Sequence, residues 1–311
     1  MKPKVIAVVG PTCVGKSALA IGLAARLQGE VISCDSMQVY RGMDIGTAKV
    51  TQAQRQGIEH HLLDIVDPST PFSCAEYAAL AENTIQTLVQ KGRVPIFCGG
   101  TGQYLDAVLN GTRFSEAGSD PDLRGALAEA DGADLWRALN RVDPESASKI
   151  HINNHKRVAR ALEIYLSTGI PKSEWDRRSI KEEKPYNPLI IGLVCQDRAL
   201  LRRRIDERVD EMIGAGLVDE VKGLALQEGT TAYSAIGYKE INAYLKGACT
   251  LQQAVEQIKT ATRQYAKRQM TWFKARPEIR WIDTGANTSE EALEIALAYV
   301  IPFLSAESPD C

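Results

Sequence analysis

Apolar residues recur along this chain in two alternating patterns, short continuous runs and helical periodicity. The continuous runs are rich in Val and Ile, predict buried strands and lie at 5–9, 30–34, 94–98 and 189–195. Helical spacing between them predicts helices at 16–28 and 73–91. This alternation is typical of an α/β fold, with a parallel sheet that is covered by helices.

The pattern changes between residues 113 and 188. Thr112 to Pro121 is polar and contains glycine, which indicates an exit from the core. The helical patterns that follow lie at 121–130, 133–140, 144–150 and 155–167. We therefore predict a first core segment at 1–112, an inserted small all-helical domain at 113–188, and a mostly helical second core segment at 189–311.

The second core segment begins after Pro185 and Pro188. Its predicted helices lie at 198–214, 217–227, 235–246, 251–275 and 289–304. We expect the tail from Ser305 to Cys311 to be frayed.

Composition is that of a globular protein, with 44% hydrophobic and 24% charged residues and no apolar run that would span a bilayer. The chain enters its first strand directly after Met1-Lys-Pro-Lys4, so we expect no signal peptide, no membrane association and a cytoplasmic location. Seven cysteines without a C-x-x-C pair predict reduced thiols and argue against zinc. We expect a monomer.

Charge is distributed unevenly although the net charge is only −2. Residues 149–160 carry four Lys or Arg and no acid, and residues 251–281 carry seven against two Glu. Such local excesses indicate either a directed anionic partner, such as nucleic acid, or ordinary solvated helix faces.

The first strand runs directly into a G-x-x-x-x-G-K-S motif that precedes a helix. In this context backbone N–H groups converge on phosphate oxygens, the lysine adds positive charge and the serine hydroxyl can bind Mg²⁺. The sequence therefore predicts a P-loop NTPase-like fold. Its expected phosphate-binding residues are Gly10, Pro11, Thr12, Cys13, Val14, Gly15, Lys16 and Ser17. The motif alone leaves open whether those phosphates belong to a nucleotide.

Two further strands end in polar residues. Asp35 follows the second strand, where its carboxylate can accept a substrate proton or hold a metal, or can cap a turn. Thr101 follows the third strand within Gly99-Gly-Thr-Gly102, either as a helix N-cap or with its hydroxyl in the ligand crevice. The glycines are expected to permit close approach to a ligand. We expect both strands to flank the P-loop strand, so that the three loops form one pocket.

Two basic helices have alternative interpretations. Arg204 and Arg208 share a helix face and either reach the phosphates or pair with neighbouring acids. The second helix carries basic residues with interleaved aromatics, which suit nucleic acid although the aromatics equally suit a core. These residues are Lys259, Arg263, Lys267 and Lys274 with Tyr265, Trp272 and Phe273. We interpret His60-His61 as structural.

The motifs together resemble the tRNA dimethylallyltransferases, also called tRNA isopentenyltransferases. The matching segments run in family order over about the first 275 residues. They are Gly10-Pro-Thr-x-x-Gly-Lys-Ser17, Asp35-Ser-Met-Gln-Val-Tyr40, Asp44-Ile-Gly-Thr-Ala-Lys49, Gly99-Gly-Thr-Gly102, Lys156-Arg-Val-Ala-Arg-Ala-Leu-Glu163, Arg204-x-x-x-Arg208, Ala235-Ile-Gly-Tyr-Lys239 and Gln264-Tyr-Ala-Lys-Arg-Gln-x-Thr-Trp-Phe273. The departures are small, with Cys13-Val14 and Ser234-Ala235 at positions where other residues are commoner.

The resemblance implies that the P-loop binds dimethylallyl diphosphate with Mg²⁺ at Ser17, and that the acceptor is the N6 amine of the adenosine 3′ of the anticodon. It implies that Asp35 is the base, that Lys16 and Arg208 neutralise the diphosphate, and that Thr101 lies near both. It further implies that the inserted domain grips the anticodon stem-loop of tRNA. The tRNA-binding residues it implies are Asp35, Ser36, Met37, Gln38, Thr101, Arg124, Lys156, Arg157, Val158, Ala159, Arg160, Gly237, Tyr238 and Lys239.

Two other functions remain open from the residues alone. A small-molecule or nucleotide kinase would share the P-loop but leaves the basic segments unexplained. A nucleotide-dependent switch that docks RNA leaves Asp35 and Thr101 without a role.

Overall fold

The computed structural model describes residues 2–112, 114, 121–179 and 183–306. It divides into two compact units, one formed by Met1–Leu109 with Pro185–Cys311 and the other by Asn110–Lys184. The second unit starts and ends a few residues before the predicted 113–188 segment. Most of the predicted polar exit (Arg113 and 115–120) and the end of the predicted frayed tail (307–311) lie outside the described residues.

The described strands of the first unit form one parallel sheet. They are β1 (Lys4–Val9), β2 (Gly29–Ser33), β3 (His60–His61), β4 (Val94–Cys98), β5 (Asn187–Val194) and β6 (Arg280–Asp283). Their order across the sheet is β3-β2-β4-β1-β5-β6. The central strand β1 carries the P-loop, and its Val8 lies beside Cys98 of β4 and Ile191 of β5.

The expectation that both polar strand ends flank the P-loop strand is wrong for β2. Strand β4 lies between β2 and β1 and pairs with both, as Ile96 lies beside Val31 and Ile6. The three loops still emerge at one edge, because the carboxyl ends of parallel strands point the same way.

Helices of the first unit cover the sheet and form a second layer beyond it. They are α1 (Lys16–Leu27), α2 (Gln52–Arg55), α3 (Cys74–Gln90), α4 (Gly102–Leu109), α10 (Arg198–Gly214), α11 (Leu217–Leu224), α12 (Tyr238–Leu245), α13 (Leu251–Lys274) and α14 (Ser289–Ser305). Helices α1 and α14 bury Leu23, Ala296 and Val300 against sheet residues such as Ile6.

A separate cluster in this unit joins α10–α13 to the segment after β2, with Tyr40 and Met43 almost fully buried. The predicted helix start at residue 235 is wrong, because Gly237 has a positive φ of 94° that interrupts the helix. Glu240 instead accepts the Gly237 N–H at 2.8 Å and caps a helix that starts at Tyr238.

Only helices are found among the described residues of the second unit. They are α5 (Pro121–Glu129), α6 (Gly132–Val142), α7 (Pro144–Lys149), α8 (His155–Thr168) and α9 (Lys172–Ser179). Leu135, Leu139, Val158 and Leu162 form its core. Helix α9 escaped sequence analysis because its composition is almost entirely polar.

Strands β3 and β6 were also missed, because each is very short and lacks an apolar run. His60 and His61 belong to β3, and the His61 Nε2 lies 2.7 Å from Glu30 Oε2 on the neighbouring strand. The structural interpretation of these histidines agrees with that contact. None of the described helices is long and apolar enough to cross a membrane.

Candidate active site

The P-loop connects β1 to α1 through a curled backbone. Gly10 has a φ of 136°, and a Cβ there would lie 2.3 Å from the Leu193 carbonyl oxygen of β5. Gly15 precedes α1 with a φ of 85°. Helix α1 has no side-chain cap and no acidic residue in its first turn. Its first N–H groups and positive dipole end are therefore available to an anion.

Lys16 supplies the positive charge beside this helix end. Its Nζ donates to the Pro11 carbonyl at 2.6 Å, which holds the side chain over the loop. Burial lowers the pKa of Lys16, and the nearby Arg208 lowers it further, whereas Cys98 and Asp35 raise it. A bound anion would favour the charged ammonium again.

Asp35 lies just beyond β2 in a turn. Its Oδ1 accepts the backbone N–H of Met37 at 2.9 Å and that of Gln38 at 3.4 Å. Within the described part of the chain, the other oxygen, Oδ2, has no hydrogen-bond partner. Asp35 is thus both a turn residue, through one oxygen, and a carboxylate with a free acceptor, through the other.

Thr101 joins two strand ends instead of capping α4 with its hydroxyl. Its Oγ1 accepts the Ser36 N–H at 3.1 Å, and its own N–H donates to the Cys34 carbonyl at 3.1 Å. The Thr101 hydroxyl also donates to the Ser36 Oγ at 3.4 Å. Thr101 therefore holds the backbone of Ser36, the residue that follows Asp35.

The glycines beside Thr101 lie close to protein atoms, and Gly99 also lines the cavity, so their approach to a ligand stays a prediction. A Cβ at Gly99 would lie 2.0 Å from the Cys34 carbonyl oxygen, and one at Gly100 would lie 1.9 Å from the Gln269 Nε2. At Gly102 it would lie 2.2 Å from the Trp272 ring. These positions require glycine so that β2 and α13 can pack against the loop.

Gln269 was part of a recognised motif but received no role from the sequence. Its side chain is 5% exposed and connects two loops of the site. The Oε1 accepts the Thr12 N–H of the P-loop at 2.9 Å, and the Nε2 donates to the Gly100 carbonyl at 3.1 Å.

Glu220 is a second residue that sequence analysis missed. It lies on α11, and its carboxylate accepts the N–H groups of Asp44, Ile45 and Gly46 at 3.0, 2.7 and 3.1 Å. The Tyr238 hydroxyl donates to the same carboxylate at 2.6 Å. This carboxylate holds the 44–49 loop against α11 and α12.

These loops and helices surround one cavity of about 950 Å³, lined by residues of the first unit. Its polar lining residues include Thr12, Lys16, Ser17, Asp35, Ser36, Gln38, Arg208, Tyr265 and Arg268. Its apolar lining residues include Met37, Ile205, Val209, Met212, Ala235, Ile236 and Ile258. A ligand with a charged end and a hydrocarbon end would find complementary surfaces here.

The structure places some of the predicted site residues, but not all of them, in the lining of this cavity. Lys16, Asp35 and Arg208 line the cavity, whereas Thr101 lies behind its wall. Of the predicted P-loop contacts, Val14 is 2% exposed and packs in the sheet core. Its side chain therefore faces away from the cavity.

Arg204 and Arg208, the two arginines of α10 that share a helix face, have different surroundings. Arg204 donates to the Thr284 carbonyl at 3.0 Å and is held at the end of β6. Arg208 has no ion pair or hydrogen bond among the described residues, although it lines the cavity. Of these two arginines, Arg208 is therefore the one available to an anion in the cavity.

Comparison with known proteins agrees with this geometry. The sequence profile of the family described as "IPPT: IPP transferase" matches residues 38–276. A tRNA dimethylallyltransferase from Geobacillus thermodenitrificans is 49% identical over 290 residues, which cover 91% of each chain. The chain belongs to the tRNA dimethylallyltransferase family.

Solved structures of the family share the fold. The full-length tRNA isopentenylpyrophosphate transferase from Bacillus halodurans gives a TM-score of 0.73 at 42% identity, covering 96% of both chains. A eukaryotic dimethylallyltransferase described as acting on tRNA gives a TM-score of 0.85 at 32% identity, covering 97% of this chain and 80% of that one.

The family's basic segment lies on α8 in the second unit. Lys156 and Arg157 are exposed there. Arg160 and Arg124 both pair with Glu163 at 2.8 Å, and the Glu163 side chain is only 3% exposed. Burial would raise the pKa of Glu163, but the hydrogen bonds from Arg160 and Arg124 outweigh it and lower the pKa.

Two residues that the family resemblance assigned to tRNA contact are buried. Val158 is 0% exposed in the core of the second unit, and Tyr238 is 0% exposed beneath the 44–49 loop. Their side chains are enclosed by the chain itself, and the tRNA contacts implied for these two residues stay predictions. Ala159 is partly buried, Gly237 lines the cavity, and Lys239 is exposed beside Glu240 at 3.4 Å.

Two of the four cations of the basic stripe predicted on α13 are neutralised. Arg263 pairs with Asp206 at 2.7 Å and Lys259 pairs with Asp210 at 2.8 Å, both on α10. Phe273 is buried, and the Trp272 indole donates to Asp106 at 3.1 Å. The α13 helix therefore packs against the core through most of this stripe, while Lys267 and Lys274 remain exposed.

Proposed function

We propose that this chain transfers a dimethylallyl group from dimethylallyl diphosphate to the N6 amine of the adenosine 3′ of the anticodon in tRNA, with release of diphosphate. The observation that supports this most directly is one cavity lined by both charged and apolar side chains. An uncapped helix end with Lys16 and Arg208 faces one part of it, and Asp35 faces the same space beside an apolar wall.

The phosphate side suits a leaving diphosphate. Cleavage of the allylic C–O bond places negative charge on the departing oxygens, and the P-loop N–H groups, Lys16 and Arg208 would neutralise that charge. The apolar wall of the cavity would hold the five-carbon group. The family assignment favours a prenyl donor over the nucleotide of a kinase.

The acceptor side needs a base. The N6 amine of adenine is a weak nucleophile, because its lone pair is delocalised into the ring. As the new C–N bond forms, the amine must lose a proton, and the free Oδ2 of Asp35 would accept it. The adenine must leave the stacked anticodon loop to reach a pocket of this depth.

We propose that Mg²⁺ is the cofactor and that it binds together with the diphosphate of the prenyl donor. Among the residues that the structure describes, no cluster of three His, Cys, Asp or Glu side chains is placed to hold a metal. The chain therefore fits an ion that is held mainly by substrate phosphates, with the Ser17 hydroxyl as the protein ligand. When bound, the ion would add positive charge to the leaving diphosphate.

We further propose that exposed basic residues of the second unit bind the anticodon stem-loop. Lys156 and Arg157 are exposed on α8 and are not ion-paired within the described part of the chain. Arg124 and Arg160 each keep an exposed guanidinium edge while they pair with Glu163. A cytoplasmic location and a monomeric state stay predictions that accompany this function.

Mass analysis of a tRNA pool tests the proposal. After incubation with the protein, Mg²⁺ and dimethylallyl diphosphate, we expect one added five-carbon unit on the adenosine next to the anticodon and an equal amount of diphosphate. Parallel reactions with ATP in place of the prenyl donor provide the control. Transfer of the ATP γ-phosphate without prenylation would overturn the proposal and favour a kinase.

A further inference from the structure

The Gln269 amide connects the two halves of the proposed active site. It lies on α13, yet its hydrogen bonds run to Thr12, 257 residues earlier, and to Gly100, 169 residues earlier. Thr12 belongs to the P-loop. Gly100 directly precedes Thr101, which holds the Ser36 N–H beside Asp35.

The partners of this amide determine its orientation. The Thr12 N–H requires an acceptor, and the Gly100 carbonyl requires a donor. A primary amide supplies one of each, whereas an ionised carboxylate would place an oxygen against the Gly100 carbonyl oxygen. A buried polar contact of this kind costs substantial free energy when one partner is left unmatched.

The surrounding backbone is shaped around the same side chain. A Cβ at Gly100 would lie 1.9 Å from the Gln269 Nε2, so any side chain there would displace the amide. Gln269 is almost fully buried, so water has little access to replace its hydrogen bonds.

We propose that Gln269 is a positioning residue that sets the distance and orientation of the diphosphate-binding loop relative to the Thr101–Asp35 side of the cavity. This inference rests on the proposed prenyl transfer. Gln269 touches neither substrate in this proposal. It acts through Thr12 on one side and through Gly100 and Thr101 on the other. A misplacement of about 1 Å between reacting groups can lower a rate by about 10²-fold.

The isosteric variant Gln269→Glu provides the sharpest test. Burial and the facing Gly100 carbonyl would raise the pKa of the introduced carboxyl. When protonated, that carboxyl again offers one acceptor and one donor. We expect a loss of about 10²-fold in single-turnover prenyl transfer at pH 8, and recovery of most of this loss as the pH is lowered to about 5.5.

Each rate is divided by the wild-type rate at the same pH, so that the titration of shared groups cancels. The charged and titratable groups that line this cavity are Cys13 in the P-loop, Asp35 after β2, Lys16 on α1, Cys98 on β4, Arg208 on α10, Tyr265 and Arg268 on α13, and Glu290 on α14. Gln269→Met, which can neither accept from Thr12 nor donate to Gly100, should give a low ratio that does not change with pH.

Two further measurements separate positioning from general damage. The affinity for inorganic pyrophosphate, measured by calorimetry, should change less than about threefold in Gln269→Glu, because the P-loop itself is intact. The matched control is Gln264→Glu, an exposed glutamine on the same helix, which should leave both rate and affinity unchanged. Gly100→Ala should reproduce the Gln269→Met rate loss, because it displaces the same amide.

Three results would each overturn the inference. The first is a ratio of Gln269→Glu rate to wild-type rate that does not change with pH, and the second is wild-type activity in Gln269→Met. The third is a pyrophosphate affinity of Gln269→Glu that falls as far as its rate. Failure of the proposed function is distinguishable from these results. In that case the wild-type protein itself would not transfer the prenyl group, whatever residue occupies position 269.

Discussion

The Thr101 Oγ1 accepts a hydrogen bond from the Ser36 N–H at 3.1 Å, across two loops that follow neighbouring strands. Ser36 directly follows Asp35, so this bond limits the movement of the backbone that carries the proposed base. Thr101 is itself held to the same segment, because its own N–H donates to the Cys34 carbonyl at 3.1 Å.

Thr101→Val should lower prenyl transfer while the diphosphate remains bound. The substitution keeps the shape of the side chain and removes the acceptor for Ser36, so we expect a rate loss of about 10- to 100-fold. Thr101→Ser should restore most of the rate, because it restores the hydroxyl. Single-turnover rates and pyrophosphate affinities check this, and a Val variant as fast as wild type would contradict a role for the hydroxyl.

Asp35→Asn separates the two functions of the aspartate. The amide keeps an oxygen for the N–H groups of Met37 and Gln38, so the turn should survive. It removes the proton acceptor, and we expect transfer to fall by about 10² to 10⁴-fold. tRNA and pyrophosphate binding, measured on the same preparation, should stay near wild type. Unchanged turnover would reject Asp35 as the base.

Arg208→Met should weaken pyrophosphate binding. A charge-assisted hydrogen bond contributes about 1.5–3 kcal/mol, which corresponds to a rise of about 10- to 100-fold in Kd. Arg203→Met is the matched control, because Arg203 lies on the same helix, is exposed and, among the described residues, pairs only with Glu207 at 4.0 Å. Calorimetric titration measures the pyrophosphate affinity of both variants. An equal loss of affinity in the two would argue against a specific role for Arg208.

Lys156→Ala and Arg157→Ala should weaken tRNA binding without affecting pyrophosphate. Each exposed cation that contacts a phosphate adds about one to the slope of log K against log salt, so each variant should lower that slope by about one. Lys149→Ala serves as the control, because Lys149 in the same unit is engaged by Glu145 at 2.8 Å. Filter binding at several salt concentrations would show an unaltered slope if these residues do not contact the RNA.

Glu163→Gln should destabilise the second unit near neutral pH. The pKa of Glu163 is lowered in the folded chain, so its stabilising contribution is present above the unfolded value of about 4.3 and is lost as the pH falls through the lower folded value. We expect a cost of about 1–3 kcal/mol at pH 7 that shrinks below about pH 4. Denaturant unfolding of the variant and the wild type at pH 7 and below pH 4 checks this direction. A difference in the free energy of unfolding that grows in acid would contradict the ion-pair origin of the effect.

The same ion pairs affect how an Arg160 variant must be interpreted. Removing Arg160 takes one of two cations from a buried carboxylate, so Arg160→Ala combines a stability loss with any change in RNA contact. The sequence could not separate these effects, because Glu163 resembles an ordinary exposed helix residue until the packing of α5 against α8 is known.

Local sequence determined the P-loop, the strand that leads into it and the positions of Asp35 and Thr101 at strand ends, because these features depend on neighbouring residues and on the periodicity of short segments. It also indicated the α/β class and a helical insertion. Only the tertiary structure decided that β4 separates β2 from β1, and that α10 neutralises the charges of Lys259 and Arg263 on α13.

The tertiary structure alone also decided which polar groups hold the site together. Gln269 and Glu220 are ordinary helix residues by sequence, yet one bridges Thr12 to Gly100 and the other collects the N–H groups at Asp44 to Gly46. These partners are distant along the chain, 257 residues from Gln269 to Thr12 and 176 from Glu220 to Asp44. No local pattern encodes such contacts, because they arise only when the packing of α11 and α13 brings the loops within hydrogen-bonding distance.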